Sequence, residues 1–302
     1  MYPYKPVARQ RGCGAAPCPC EGARLAATLP FMHAEIILAG LLVGVLAGLT
    51  GIGGGSLLAP GLVAFFGVRP LAAVGTALAV KAAMKSIALI QHIQAREINY
   101  KVGGFLVAAA APAAVATVIV LIVVQHAGPT FGFSMEHLAH WLLAVVALLA
   151  GAATLLRPLY TYRFHDTELR VLASLKVRLT AVIIVGIVSG ILLAVTAIGD
   201  SALTFPVLGL LYLMPAKRIA GTDTFLTAIV AASAALLQAA GGNIAWAVSG
   251  NLILGAMPGV LLGLWLARRR LLPEVVYRTV LGISVAGMGA WMLWGLSGKP
   301  SL

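Results

Sequence analysis

Charge is scarce in this chain. Lysine, arginine, aspartate and glutamate together make up 10% of its 302 residues, against roughly a quarter in soluble globular domains. Hydrophobic residues make up 61%, and the mean hydropathy is +1.00. A soluble fold is excluded, and the chain reads as an integral membrane protein. Acidic residues are scarcer still, nine against 21 basic ones, for a net charge of +12. That excess could point to nucleic acid, but the basic residues punctuate apolar stretches and form no soluble basic face. They read as topology signals that hold loops on the cytoplasmic side. Cysteine is confined to Cys13, Cys18 and Cys20, ahead of every apolar stretch. The spans therefore lack the groups that a thiol-disulfide carrier needs at membrane depth. The three cysteines also lack C-x2-C spacing, so a metal clip is the lesser reading, and neither a metal nor a cofactor is expected. No apolar h-region marks a signal peptide, and Met32, just ahead of the first apolar stretch, would make a sensible first residue.

What the chain does have is long apolar sequence, and it has it twice. Apolar stretches cover about 34–66, 71–93, 102–124, 138–156, 179–213, 219–240, 244–267 and 276–294. Most are close to the ~20 residues that cross a bilayer as helix. A shift of 146 residues, without a gap, carries Gly40 and Gly44 onto Gly186 and Gly190, and Thr50 onto Thr196. It also carries Pro60 onto Pro206, Gly75-Thr76 onto Gly221-Thr222, and Pro112 onto Pro258. The expected fold is an all-α polytopic membrane protein of two homologous halves, each a glycine-broken segment followed by three transmembrane helices. Residues 1–33 form a flexible N-terminal extension, 34–156 the first repeat, 157–178 a basic linker, 179–296 the second repeat and 297–302 a tail. Duplicated hydrophobic proteins with interrupted segments are most often secondary transporters that bind substrate where the interruptions meet.

Two topologies fit the duplication. If each broken segment crosses once, the repeats are parallel. If it turns back, they are inverted, and Arg96, Lys101, the linker, Lys217, Arg218 and Arg268 to Arg270 share one side. The positive-inside tendency favours the inverted arrangement.

The first break, Gly51-Ile52-Gly53-Gly54-Gly55, has four glycines in five positions, each costing about 1 kcal/mol in a helix relative to alanine. A half-helix starting after it presents bare N–H groups and a positive dipole end, so Gly53, Gly54, Gly55 and Ser56 form a candidate anion cradle. Close helix packing is the competing use of the same glycines. The second break, Ala197-Ile198-Gly199-Asp200-Ser201, places Asp200 at a helix start, where capping is favoured over proton coupling. On the following helix Lys81, Lys85 and His92 share one face, as do Asp223, Thr227 and Gln238 in the other half. Lysines at this depth either face an anionic substrate or pair with Asp223 or Asp200 as a bridge between the halves. His92, near a helix end, is read as a solvated interfacial histidine before a proton relay, and Glu97 and Asn99 as surface residues of the loop that follows.

The paired order of Gly51 to Gly55 with Pro60 and Ala73-Val74-Gly75-Thr76, echoed by Ile198-Gly199-Asp200 with Pro206 and Ala220-Gly221-Thr222, resembles the sulfite exporter TauE/SafE family of membrane transporters. The resemblance covers about 34–294. It implies movement of small anions, especially sulfite, sulfonates and related organic acids, and it carries over the glycine breaks and the Gly-Thr pairs, adding Thr76 and Thr222 to the binding candidates. The implied partners are a small anionic substrate and the lipid bilayer of the cell membrane, with a second copy of the chain left open and nucleic acid left out. An anion channel, or an accessory protein without transport, are the alternatives. An enzyme would need a nucleophile, base or metal cluster, and outside the isolated stripe residues the spans lack paired His, Glu and Cys groups.

Topology is directly testable. In a background free of Cys13, Cys18 and Cys20, single cysteines at Arg96 and Arg269 should both resist an impermeant thiol reagent applied outside, while one at Gly128 should react. External labelling at Arg269 with protection at Arg96 would establish parallel repeats instead.

Overall fold

The structure, a computed structural model, describes residues 32–50, 55–126, 141–149, 175–198 and 214–269, with positions 152, 201, 204, 208, 212, 279, 283, 285–291, 293 and 294. Among the described residues there is no strand. The helices whose bounds lie among the described residues are α1 (Met32–Thr50), α2 (Gly55–Phe66), α3 (Pro70–Gln94), α4 (Tyr100–His126), α5 (Leu175–Thr196), α6 (Ala216–Ala240) and α7 (Trp246–Arg268). Further helical residues at 285–291 pack on those at 141–149 through Gly289.

Five of these helices have spans long and apolar enough to cross a bilayer, within α3, α4, α5, α6 and α7. The protein is therefore a multi-pass membrane protein. α2 has 12 residues and reaches only about 18 Å, well short of the ~30 Å hydrocarbon core. The apolar run 34–66 thus resolves into a full first helix and a half-helix. Large apolar side chains on the outer surface, among them Leu42, Val120, Ile184, Leu236 and Leu254, are exposed as lipid-facing residues must be. Tyr100 and Trp246, also exposed, begin α4 and α7 as interfacial aromatics do.

The helix bounds recur at the spacing seen in the sequence. Moving α3 by 146 residues gives the bounds of α6, the first residue of α4 becomes that of α7, and α1 and α5 end on equivalent threonines, Thr50 and Thr196. Arg96 and Gly242, equivalent positions, both have positive φ, +54° and +71°.

Glycine contacts define how the helices run. Gly40, Gly44 and Gly48 of α1 lie against the backbone of Leu252, Ala256 and Val260, so α1 and α7 run in the same direction. Gly186 against Leu106 and Gly190 against Ala110 give the same sense for α5 and α4. Gly75, near the start of α3, touches Gln238 and Asn243 at the end of α6, and Gly221 touches Glu97, so α3 and α6 run oppositely. Since short turns join α3 to α4 and α6 to α7, α1 and α3 share a direction. The chain has to return between Thr50 and Pro70, the path that the hairpin version of the topology requires. Arg96, Lys101, Lys217, Arg218 and Arg269 consequently gather at one end of the bundle, all exposed.

The α1–α7 seam has no room for side chains. A Cβ on Gly44 would stand 2.4 Å from the Ala256 carbonyl oxygen, and one on Gly259 2.4 Å from that of Leu41. With little hydrophobic force between helices in lipid, such close packing is what holds them together. Gly44→Leu should therefore lower stability by about 3 kcal/mol or more, read as a fall in thermal midpoint in detergent. Gly104→Ala, where a Cβ meets open space, should leave the midpoint unchanged or slightly raised. Equal behaviour of the two variants would show that the seam does not depend on backbone contact.

Candidate functional site

α3 and α6 form the centre of the bundle, with the end of α5 and the second broken segment set against them. Lys81 and Lys85, one turn apart on α3, are 1% and 4% exposed. The Lys81 Nζ donates to the Ala197 carbonyl oxygen at 3.1 Å. That oxygen belongs to the C-terminal end of α5, where helix carbonyls lack intrahelical partners and the dipole is negative, so an ammonium is stabilised there. Ala197 itself has φ +56°, and its N–H donates to Leu193 O at 2.8 Å. This is the left-handed closing turn that favours glycine and costs alanine about 1–2 kcal/mol. The Thr196 hydroxyl stitches the same turn, donating to Leu192 O at 2.7 Å and accepting from Ile198 N–H at 3.2 Å.

Asp223 on α6 is fully buried. It receives the Lys85 ammonium at 3.3 Å, the Ser201 hydroxyl at 2.7 Å and the Thr204 hydroxyl at 2.5 Å. This Lys85–Asp223 ion pair ties α3 to α6. The hydroxyls of the second broken segment complete the shell of charge-assisted bonds that a buried carboxylate requires.

Lys81, Lys85 and His92 also line one cavity, together with Gly48 of α1, Thr224 of α6 and Leu264 of α7. Its volume of about 20 Å³ holds roughly one water, so an anion of several atoms would need its walls to part. The cavity follows α3 toward the basic end of the bundle. There His92 Nδ1 lies 2.8 Å from Glu97 Oε2, so His92 belongs to the cavity wall and Glu97 is its partner. At the equivalent positions of the other half, Asn243 donates to Gln238 Oε1 at 3.0 Å.

The Gly-Thr pairs sit elsewhere. Ala245 N–H donates to Thr76 Oγ1 and Asn99 N–H to Thr222 Oγ1, both at 3.1 Å. Thr222 in turn donates to Arg218 O at 2.7 Å. Both threonines are fully buried, and each pins the turn of the opposite half against its own helix. Gly75 and Gly221 let those turns approach, since a Cβ would stand 2.2 and 2.5 Å from the Asn243 and Glu97 carbonyl oxygens. Gly53, Gly54 and Asp200 lie outside the described residues. Gly55 opens α2, and Ser56 follows in its first turn. Two residues at this centre escaped the sequence reading, Thr204 and Thr224. The signal for Thr204 was there, a hydroxyl in an apolar run whose equivalent in the first half is Leu58.

The sequence matches the family described as Sulfite exporter TauE/SafE over residues 36–296. The chain belongs to the sulfite exporter TauE/SafE family. It is also 33% identical, over 79% of its own length and 91% of the relative's, to the "Probable membrane transporter protein YjnA" of Bacillus subtilis (strain 168). No solved structure matches. The buried lysines and their aspartate thus belong to a member of a membrane transporter family.

Removing one partner of a buried pair leaves the other charge uncompensated and costs about 3–5 kcal/mol. Asp223→Ala should lower the thermal midpoint strongly, and Lys85→Met combined with Asp223→Ala should recover much of the loss. A double variant no more stable than Asp223→Ala would mean that Asp223 acts through Ser201 and Thr204, with little from Lys85.

Proposed function

We propose that this TauE/SafE protein is a secondary transporter of small anions such as sulfite, sulfonates or related organic acids, working in the cell membrane with its basic end on the cytoplasmic side. The observation that carries the reading is the placement of Lys81, Lys85 and His92 on one wall of a single cavity at the centre of the bundle. Cationic side chains at membrane depth mark an ion or substrate path, and here they sit beside the end of one broken helix. The start of α2 at Gly55, directly after Gly53 and Gly54, supports an anion cradle in the first break, where N–H groups and the helix dipole favour negative charge. Thr76 and Thr222 are left out of this site because their hydroxyls are engaged with backbone.

The opposed directions of α3 and α6, together with the shared directions of α1 with α7 and of α4 with α5, support inverted repeats. A two-fold axis relating antiparallel central helices lies in the membrane plane, the symmetry from which alternating access is built. Asp223 is read as a structural counter-ion of Lys85, while the His92–Glu97 pair at the cavity mouth is the better placed proton acceptor.

Reconstituted vesicles test the proposal. Wild-type protein should carry saturable sulfite flux, and Lys81→Met, with Lys85 and Asp223 retained, should reduce it at least about tenfold, the worth of roughly 1.4 kcal/mol of anion stabilisation. Wild-type flux in a properly inserted Lys81→Met variant would remove the lysine from the mechanism. Flux that fails to saturate would favour a channel.

A further inference from the structure

The cavity beside Lys81, Lys85 and His92 follows α3 toward the basic end, and a transporter needs a way to the other end. The 146-residue correspondence indicates where that way lies. It carries Lys81, Lys85, Ala88 and His92 of α3 onto Thr227, Ala231, Ala234 and Gln238 of α6, which share one helical face at i, i+4, i+7 and i+11. Because α6 runs opposite to α3, this face leads from the centre of the bundle to the end away from the basic residues. It is sealed. Thr227, Ala231, Ala234 and Gln238 are all 0% exposed, as is Ala114, the equivalent of the cavity residue Val260. Ala88 and His92, by contrast, are only half-buried.

Gln238 indicates that the sealed face is more than a packed seam. Its Oε1 accepts from Asn243 Nδ2 at 3.0 Å, and Asn243 exchanges two hydrogen bonds with Gln125, at 3.1 and 3.2 Å. The amide orientations are assigned together across this network. The Gln238 Nε2 is left buried with no hydrogen-bond partner among the described residues. An orphaned buried N–H costs about 1–3 kcal/mol, which an apolar side chain would avoid at a position serving only to pack. The neighbouring Ala231 and Ala234 have short side chains, so helix separation there would open a channel lined by them and by the Gln238 amide.

We infer that the face formed by Thr227, Ala231, Ala234 and Gln238 is the opposite-end half of the permeation route, shut in this structure and open when the basic-end half is shut. The Gln238 Nε2–H then donates to an oxygen of the passing anion. This inference rests on the transporter reading, but it can be tested without any substrate. The full chain, with its three native cysteines replaced by serine, would carry single cysteines in vesicles whose sidedness is fixed by Lys101→Cys.

A charged methanethiosulfonate reagent should modify Ala88→Cys only from the basic end. It should modify Ala234→Cys only from the opposite end, at roughly one tenth the rate or less, because the open form is a minor state of about 0.1–10%. Leu236→Cys, on the lipid-facing side, should react from neither. Ala231→Cys is the second site if Ala234→Cys does not reach the membrane. Silence of both alanine sites from both ends, or reaction from the basic end, overturns the route. Reaction of Ala234→Cys from the opposite end upholds it even where sulfite itself is not carried, in which case only the substrate reading falls. Sulfite flux without labelling at either alanine site overturns the route alone. Gln238→Leu should lower sulfite flux about tenfold with Ala88→Cys reactivity unchanged, and unaltered flux removes the amide from the path.

Discussion

A helix that stops inside a bilayer leaves backbone groups that water cannot reach, and each must find a partner in the protein. Most of the polar chemistry at the centre of this molecule answers that constraint. α5 ends at Thr196, and the carbonyl just beyond it is met by the Lys81 ammonium. The hydroxyls of Ser201 and Thr204, in the segment that resumes after the break, bond Asp223, which in turn holds Lys85. The lysines are thus first a consequence of breaking the helix. They also line a cavity, so the feature that satisfies the broken backbone is the one on which the proposed anion path rests.

The same economy appears in the clamps between the halves. Thr76 takes the N–H of Ala245 and Thr222 that of Asn99, at equal distances and equivalent positions. Each half secures the helix-to-helix turn of the other. A glycine directly before each threonine admits the incoming carbonyl, which accounts for Gly-Thr occurring twice. The pair keeps the two halves in register while α3 and α6 carry the chemistry between the clamps.

The helices were legible in the sequence because the bilayer imposes length and apolarity on each span. The predicted stretches 71–93 and 219–240 differ from α3 and α6 by only a few residues at their ends. The site was half legible. The 4- and 7-residue spacings placed Lys81, Lys85 and His92 on one face, and they do share one cavity. Sequence alone left open whether the lysines met substrate or Asp223, since a helical face says nothing about what stands across from it. The Gly-Thr pairs suggested binding through the family resemblance, whereas contacts to turns about 120 and 170 residues away engage their hydroxyls. Such partners depend on tertiary arrangement, which local spacing does not encode. Glu97 read as a loop residue for the same reason, and it pairs with His92 because the chain turns back beneath it at Arg96.

The two halves share a backbone plan but differ in charge, and this difference bears on the state in which the protein rests. The face of α6 that ends in Gln238 closes around alanines, a threonine and amides, and it can be dry with a single orphaned donor. Closing the face of α3 in the same way would take the His92–Glu97 pair, still part-exposed here, out of reach of water, and burying an ionised carboxylate costs several kcal/mol. An unloaded protein should therefore favour the arrangement seen here, with the α3 face the less buried of the two. Only a ligand that stabilises the closed α3 face more than the open one can move that equilibrium. In the proposed function the anion is that ligand, and its binding is the event that allows the α3 face to close.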